Sequence, residues 1–235
     1  MFTSEHFIWL GLSTVFIIGM LMFSVKKKLS LKTAGYIMTV ICALSEISKI
    51  MDDMTDSEGG GMYLDPGSLP FHLCSLMLFG VLFITFGRDC KLKQTVIDFL
   101  AVAGVIGSLC ALLIPTSGTN FAKLGAYQCF VYHAGLMWFA LYLIISKKAN
   151  LGLKTYCRNM IILLGLVLAM IYVNSVLSIY DTNFMYLVRP PMEDLPYLNL
   201  NGGWYAYFLR LVALGMAIIS LFHLPFIIGE RKNNK

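Results

Sequence analysis

The sequence predicts an all-α fold: a polytopic membrane bundle of seven transmembrane helices. Three observations carry this. Seven apolar stretches recur along the chain, each near the ~20 residues that a helix needs to cross ~30 Å of hydrocarbon. Hydrophobic residues make up 58% of the chain and charged residues 13%, more apolar surface than one soluble core can hide, so lipid must be the solvent. The short loops alternate in charge, as loops on alternate sides of a membrane do.

The spans read as 7–25, 34–51, 69–86, 96–114, 127–145, 160–179 and 204–228, and one integral membrane domain is expected to fill residues 1–235. Lys26, Lys27, Lys28 and Lys32 follow the first span, and Arg88, Lys91 and Lys93 follow the third. Lys147, Lys148, Lys154 and Arg158 follow the fifth, and Arg231, Lys232 and Lys235 follow the last. The opposite loops hold only Lys123 and Arg189, with an acidic run at Asp52, Asp53, Asp56, Glu58 and Asp65. The positive-inside rule then places the N-terminus outside and the C-terminus in the cytoplasm. An odd number of spans agrees. The net charge of +5 therefore reflects topology, and nucleic acid is not an expected partner. The N-terminus lacks a basic region and a small-residue cleavage site, so the first span is expected to be retained. Six cysteines form no C-x-x-C pair and no two sit in external loops, which argues against a disulfide framework.

The polar residues left inside the spans are costly there, so their positions inform. Depth follows from the ~1.5 Å rise per helical residue. Glu46 and Lys49 fall near the outer end of the second span, and His72 and Cys74 in the first two turns of the third, which starts near Pro70. Cys129 and His133 fall in the outer third of the fifth span, Asn174 near the outer end of the sixth, and Arg210 in the first turns of the seventh. These groups share the outer leaflet and imply a polar cavity. The remaining polar positions read as structure. Trp204, Tyr205 and Tyr207 suit an interfacial aromatic belt. Asp98 at a helix start suits the dipole. His223 reads as a packing residue, and Ala101, Gly104, Ser108 and Ala111 as a close helix seam. Glu46 and Lys49, three apart, fit a structural ion pair as well as a site. The long loop at 181–203, with three prolines and many aromatics, reads as an ordered lid on the outer mouth that carries Asn183 and Tyr186.

Within this set Cys74 is the best nucleophile, since thiolates attack acyl carbon well and a helix start favours the anion. His72, two residues away, would point elsewhere on a helix; His133 is the better base. Arg210 can fork onto a phosphate, Lys49 can assist it, and Asn174 or Asn183 can donate to an oxyanion. Cys129 and His133, four apart, also permit a metal reading, though no H-E-x-x-H signal supports it. No metal and no cofactor is expected, and no glycine-rich phosphate loop is present.

Leu-Pro-Phe-His-Leu-Cys-Ser-Leu at 69–76, Tyr132-His133, and Asn-Phe-Met-Tyr-Leu-x-x-Pro at 183–190 resemble the YwaF/transmembrane protein 164 family. The resemblance runs from the second span to the seventh. It implies a multi-span bundle that moves fatty acyl chains between phospholipids through a cysteine. Carried onto this chain, the nucleophile is Cys74 and its partner His133.

The expected function is thus an acyltransferase of the cell membrane acting on phospholipid acyl chains through a cysteine thioester in an outer-leaflet cavity, or a lipid acyl hydrolase. His72, Glu46, Lys49, Asn174, Asn183, Tyr186 and Arg210 would bind the substrate. Membrane lipids are the expected partners. A solute-binding or transport protein using the same pocket is the rival, with the intramembrane charges as ligand or relay groups. A structural subunit that binds a partner is a third reading.

Overall fold

The computed structural model describes residues 2–55, 64–192 and 195–233, at 53–55, 231 and 233 by backbone alone. Among them the chain forms seven α-helices: α1 Ser4–Lys26, α2 Leu31–Thr55, α3 Leu73–Phe86, α4 Lys91–Leu113, α5 Leu124–Ile145, α6 Leu153–Val176 and α7 Gly203–Asn233. Short 3-10 turns occur at Pro66–Ser68, Ser178–Tyr180 and Phe184–Tyr186. Among the described residues there is no strand. Six helices are long and apolar enough to cross a membrane, and α3 is a shorter apolar helix. The chain is an integral membrane protein built as a polytopic helical bundle. Of the acidic run, Asp56 and Glu58 lie outside the described residues, as does Lys235 of the basic tail.

Most helices start three to seven residues before their apolar stretch, because the helix continues into polar sequence where water can solvate side chains. Local chemistry sets the starts. Thr3 caps α1 by accepting from the His6 N–H at 3.3 Å, with Glu5 in the first turn, where an acid suits the dipole. Ser30 accepts from the Thr33 N–H at 3.0 Å as α2 begins. The earlier start of α4 puts Asp98 in its third turn rather than its first; it is buried and accepts from Gln94 Nε2 at 2.7 Å.

The third helix departs most from expectation. It begins at Leu73, not at 69. Pro66 opens a 3-10 turn capped by Asp65, whose carboxylate accepts from the Gly67 N–H at 2.8 Å. Residues 69–72 then form turns and bends. Pro70 is therefore not the helix start, His72 lies off the helix, and Cys74 is its second residue.

The described chain forms two compact units. The first holds residues 1–70 and 74–149, and the second holds 71–73 and 150–235. In the first, α1, α2 and α4 all pack on α5. Two thirds of the apolar window of α5 is buried. Small residues allow this. A Cβ at Gly104 of α4 would sit 2.9 Å from the Ala140 Cβ, and one at Gly135 would sit 3.0 Å from Ile41 of α2. Side chains cross-link the elements as well. Trp138 Nε1 donates to Ser24 Oγ at 3.0 Å, Tyr142 OH to the Leu29 carbonyl at 2.9 Å, and Gln128 Nε2 to Ser45 Oγ at 2.7 Å. His6, fully buried, donates from Nε2 to the Leu112 carbonyl at 2.8 Å. Trp9 stacks on Phe130 with ring centroids 4.9 Å apart.

In the second unit α6 and α7 run beside the 177–203 connection. His223 is fully buried and donates from Nδ1 to the Leu151 carbonyl at 2.9 Å. Tyr156 shares a hydroxyl contact with Ser220 at 2.9 Å.

The α4–α5 seam generates a test. Gly104→Leu should lower the melting temperature of the purified protein, since overpacking costs about 1–3 kcal/mol. Gly165→Leu, at a helical glycine with nothing within 4 Å of its Cβ, should leave it unchanged. Equal melting of the two variants would show that the seam is not closely packed.

Candidate functional site

The candidate residues fall into two groups, one in each unit. Cys74, His133, Glu46 and Lys49 belong to the first; His72, Asn174, Asn183, Tyr186 and Arg210 belong to the second.

In the first unit Cys74 is half-buried at the start of α3. Its sulfur packs on α4, so that a Cβ at Gly107 would meet it at 3.3 Å. Its carbonyl accepts from Tyr132 OH at 2.5 Å. The tyrosine thus ties the first turn of α3 to α5 one residue before His133, and the Tyr132 and His133 rings lie 5.2 Å apart. His133 Nδ1 faces the Cys129 carbonyl of its own helix at 2.7 Å. A carbonyl only accepts, so Nδ1 carries the hydrogen, and Nε2 of the neutral ring is left with the basic lone pair. Cys129 Sγ lies 3.7 Å from the same Nδ1. Among the described residues no hydrogen bond joins Cys74 directly to His133; the two meet through Tyr132. Glu46 and Lys49 form an ion pair at 2.7 Å, each side chain about one-fifth exposed. No cluster of three metal-binding side chains occurs among the described residues.

Ser108 was hidden in the sequence as one member of a small-residue stripe. It is fully buried and its hydroxyl has no hydrogen-bond partner. The Thr39 hydroxyl of α2 is likewise buried without a partner, whereas several other hydroxyls along the helices are paired. Thr14, Ser24, Thr85 and Ser146 each donate to the carbonyl four residues back, at 2.6–2.7 Å, the ordinary way to satisfy a hydroxyl in a helix. Gly104 faces Ala140 and Leu136, and Leu112 packs with Phe130 and Ala126. Ser108 lies about one turn from both Gly104 and Leu112 along α4 and directly follows the glycine that meets Cys74. A small-residue pattern alone gives no signal that separates such a hydroxyl from a seam residue.

In the second unit the 177–203 connection is tied down at many points. Asn174 donates from its amide to the Phe184 carbonyl at 3.0 Å and accepts from the Phe184 N–H at 2.8 Å. Asn183 donates to the Arg189 carbonyl at 2.9 Å and accepts from the N–H groups of Val188 and Arg189. Arg189 pairs with Asp181, both contacts at 2.6 Å. Trp204 Nε1 donates to the Leu187 carbonyl at 2.9 Å, and Tyr207 OH donates to the Tyr186 carbonyl. These contacts hold Met185 and Tyr186 at φ of 56° and 55°, a left-handed conformation that side chains other than glycine seldom adopt. His72 packs on this turn, its ring 5.2 Å from Tyr186 and 5.5 Å from Phe184.

Several roles read from the sequence change accordingly. Asn174 and Asn183, expected to face substrate or an oxyanion, bind the backbone of their own loop. Arg210, expected to grip a headgroup, donates to the carbonyls of Ala206 at 3.1 Å, Asn199 at 2.9 Å and Asn201 at 2.5 Å, and to Asn199 Oδ1 at 2.9 Å. The guanidinium acts as a clamp where the loop enters α7. Tyr207, expected in an aromatic belt, is fully buried, while Tyr205 is 78% exposed. The 181–203 loop is held by these contacts through its described residues; Glu193 and Asp194 lie outside them.

Fold and site together define a helical integral membrane protein with a cysteine at a helix start, tied by Tyr132 to the helix that carries a tautomer-fixed imidazole. The chain belongs to the TMEM164 family, whose model matches residues 1–223. No curated protein and no solved structure matches it significantly.

The loop clamp can be tested apart from any activity. Asn174→Ala leaves the buried N–H and carbonyl of Phe184 without partners, at a cost of about 1–3 kcal/mol. Limited proteolysis should then cut within 181–203 at lower protease concentration than in the wild type. Unchanged cleavage would mean that the loop is held by other contacts.

Proposed function

We propose that this chain is an acyltransferase of the cell membrane that moves phospholipid acyl chains through a thioester on Cys74. The observation that supports the proposal is the Tyr132–Cys74 hydrogen bond, which ties the thiol's turn to α5 one residue before an imidazole whose Nδ1–H is fixed by the Cys129 carbonyl. An imidazole so held presents Nε2 as a base.

The steps balance as follows. His133 Nε2 takes the Cys74 proton, through one water or after rotation of the thiol. The thiolate adds to the ester carbonyl, and Ser108 donates its unused hydroxyl hydrogen to the oxyanion. Collapse breaks the ester C–O bond. The leaving lysophospholipid alkoxide takes the proton from His133, and the acyl group stays on sulfur. An acceptor hydroxyl then loses its proton to His133 and attacks the thioester, which regenerates the thiol. Water in place of the acceptor gives hydrolysis. The lipid lies against the first unit in this scheme. The Glu46–Lys49 pair holds its headgroup, with Arg210 organising the loop rather than touching phosphate.

Cys74→Ala should abolish transfer from a fluorescent phospholipid to a lysophospholipid while melting like the wild type, since the lost thiol is small. His133→Ala should be as damaging, and the double variant no worse than either alone, because residues acting as one unit are not additive. Intact-protein mass spectrometry should find an acyl adduct on Cys74 in the wild type only. Full activity of Cys74→Ala, or lack of any adduct under turnover, would favour a solute-binding protein instead.

Ser108→Ala should reduce kcat by about 10²–10³ with little change in KM, the loss typical of one oxyanion donor. A variant that raises KM and spares kcat would show Ser108 to be a packing residue.

A further inference from the structure

A second feature of the first unit lies at the opposite end of α1 and α5 from Cys74. Where the two helices end, a cleft of about 230 Å³ opens between them, walled by Leu21, Val25 and Ile145, with Lys28 at its rim. A second groove of about 280 Å³ adjoins it along α1, walled by Leu21, Met22 and Val25 with Lys26 at its end. No acidic residue lines either one. Val25 and Ile145 are 58% and 52% exposed, so in a bilayer this surface opens onto lipid.

The hydroxyls in the cleft are already committed. Ser24 donates to the Met20 carbonyl, Tyr142 to that of Leu29, and Ser146 to that of Tyr142. Among the described residues Lys28 makes no ion pair, so its ammonium is the donor left for a ligand. Lys28 and Lys147 also hold the chain at φ of 47° and 54°, where helices ordinarily place glycine or asparagine. Lysine at a helix end is favoured by the dipole. The dipole does not account for the apolar hollow beneath Lys28, or for lysine at two left-handed positions beside the same cleft. Lys26, Lys27 and Lys148 are exposed at the same helix ends, so the rim is cationic throughout.

We propose that this cleft binds one anionic phospholipid of the leaflet on the basic side of the membrane. An acyl chain lies along Leu21 and Val25, and the phosphate faces Lys28. Charge complementarity selects the occupant: clustered lysines at a membrane surface attract anionic headgroups, while a choline group would meet only cations. The proposal is independent of acyl transfer at Cys74.

The test uses the full chain, purified in detergent and titrated with phosphatidylglycerol or phosphatidylcholine of the same acyl composition, with bound lipid counted by native mass spectrometry. Phosphatidylglycerol should bind and phosphatidylcholine should not. Lys28→Gln should weaken binding about five-fold, the contribution of one lysine near an anionic surface. Val25→Trp, a change at an exposed site, should fill the groove and prevent retention. Lys154→Gln, on the same basic side but in the second unit, should bind like the wild type. Equal binding of the two lipids would overturn the proposal. So would a loss in Lys154→Gln as large as that in Lys28→Gln, since attraction would then be diffuse.

Discussion

Hydrocarbon offers no hydrogen bonds, and that constraint explains the disposition of nearly every polar side chain here. A backbone group left unpaired in lipid costs several kcal/mol. The irregular connection between α6 and α7 has many such groups, and helix-borne side chains serve them: Asn174 for Phe184, Trp204 for Leu187, Tyr207 for Tyr186, and Arg210 for Asn199 and Asn201. Intramembrane polar residues are read as functional by default. In this chain a good share of them are the condition for a long non-helical segment to exist beside the helices.

The same constraint builds the first unit around α5. A helix buried on most of its surface cannot face its polar groups to lipid or to water, so each needs a protein partner. Gln128, Tyr132, His133, Trp138 and Tyr142 all have one. Those bonds reach α1, the α1–α2 loop, α2 and α3, which fixes α5 in rotation as well as in position. His133 inherits that fixed position. Its ring is oriented by its own helix, and its neighbour Tyr132 sets the distance to α3. Against this background, two hydroxyls of the first unit, Ser108 and Thr39, are buried without a partner.

The spans were legible because hydropathy over ~20 residues is a strong signal. Six appear as helices long enough to cross a membrane and the third as a shorter apolar helix, with the other starts shifted mainly where helices extend into polar flanks. The start of α3 was not legible. Leu69–Pro70–Phe71–His72 is apolar enough to continue the hydropathy signal, yet its backbone is turned, and hydropathy does not sense backbone. Cys74, His72 and His133 could be singled out as chemistry-bearing residues, and Glu46 and Lys49 as a pair, from type and spacing. The duties of Asn174, Asn183 and Arg210 could not be read, because they depend on which carbonyl comes within ~3 Å, and that is decided by the path of a loop with no periodicity. Ser108 was invisible for a different reason: its distinguishing property is a bond it does not make.

The late start of α3 bears most directly on chemistry. Fourteen residues at ~1.5 Å each extend about 21 Å, well short of ~30 Å of hydrocarbon. The turned segment 69–72 must then lie at membrane depth or draw the surface inward. Non-helical backbone is tolerated at such depth only when it is buried in protein or lines a wet cavity. A helix start brings further demands, because its first N–H groups have no intrahelical partner and carry the positive end of the dipole. Cys74 is the second residue of that helix, so its own N–H is among these donors. A straight span from 69 would have placed Cys74 mid-turn in an ordinary hydrophobic helix, where a thiol is a small packing residue. The break at Pro66–His72 sets the thiol at a helix end, where negative charge meets backbone donors. It also moves His72 off the helix, onto the turn at Phe184–Tyr186.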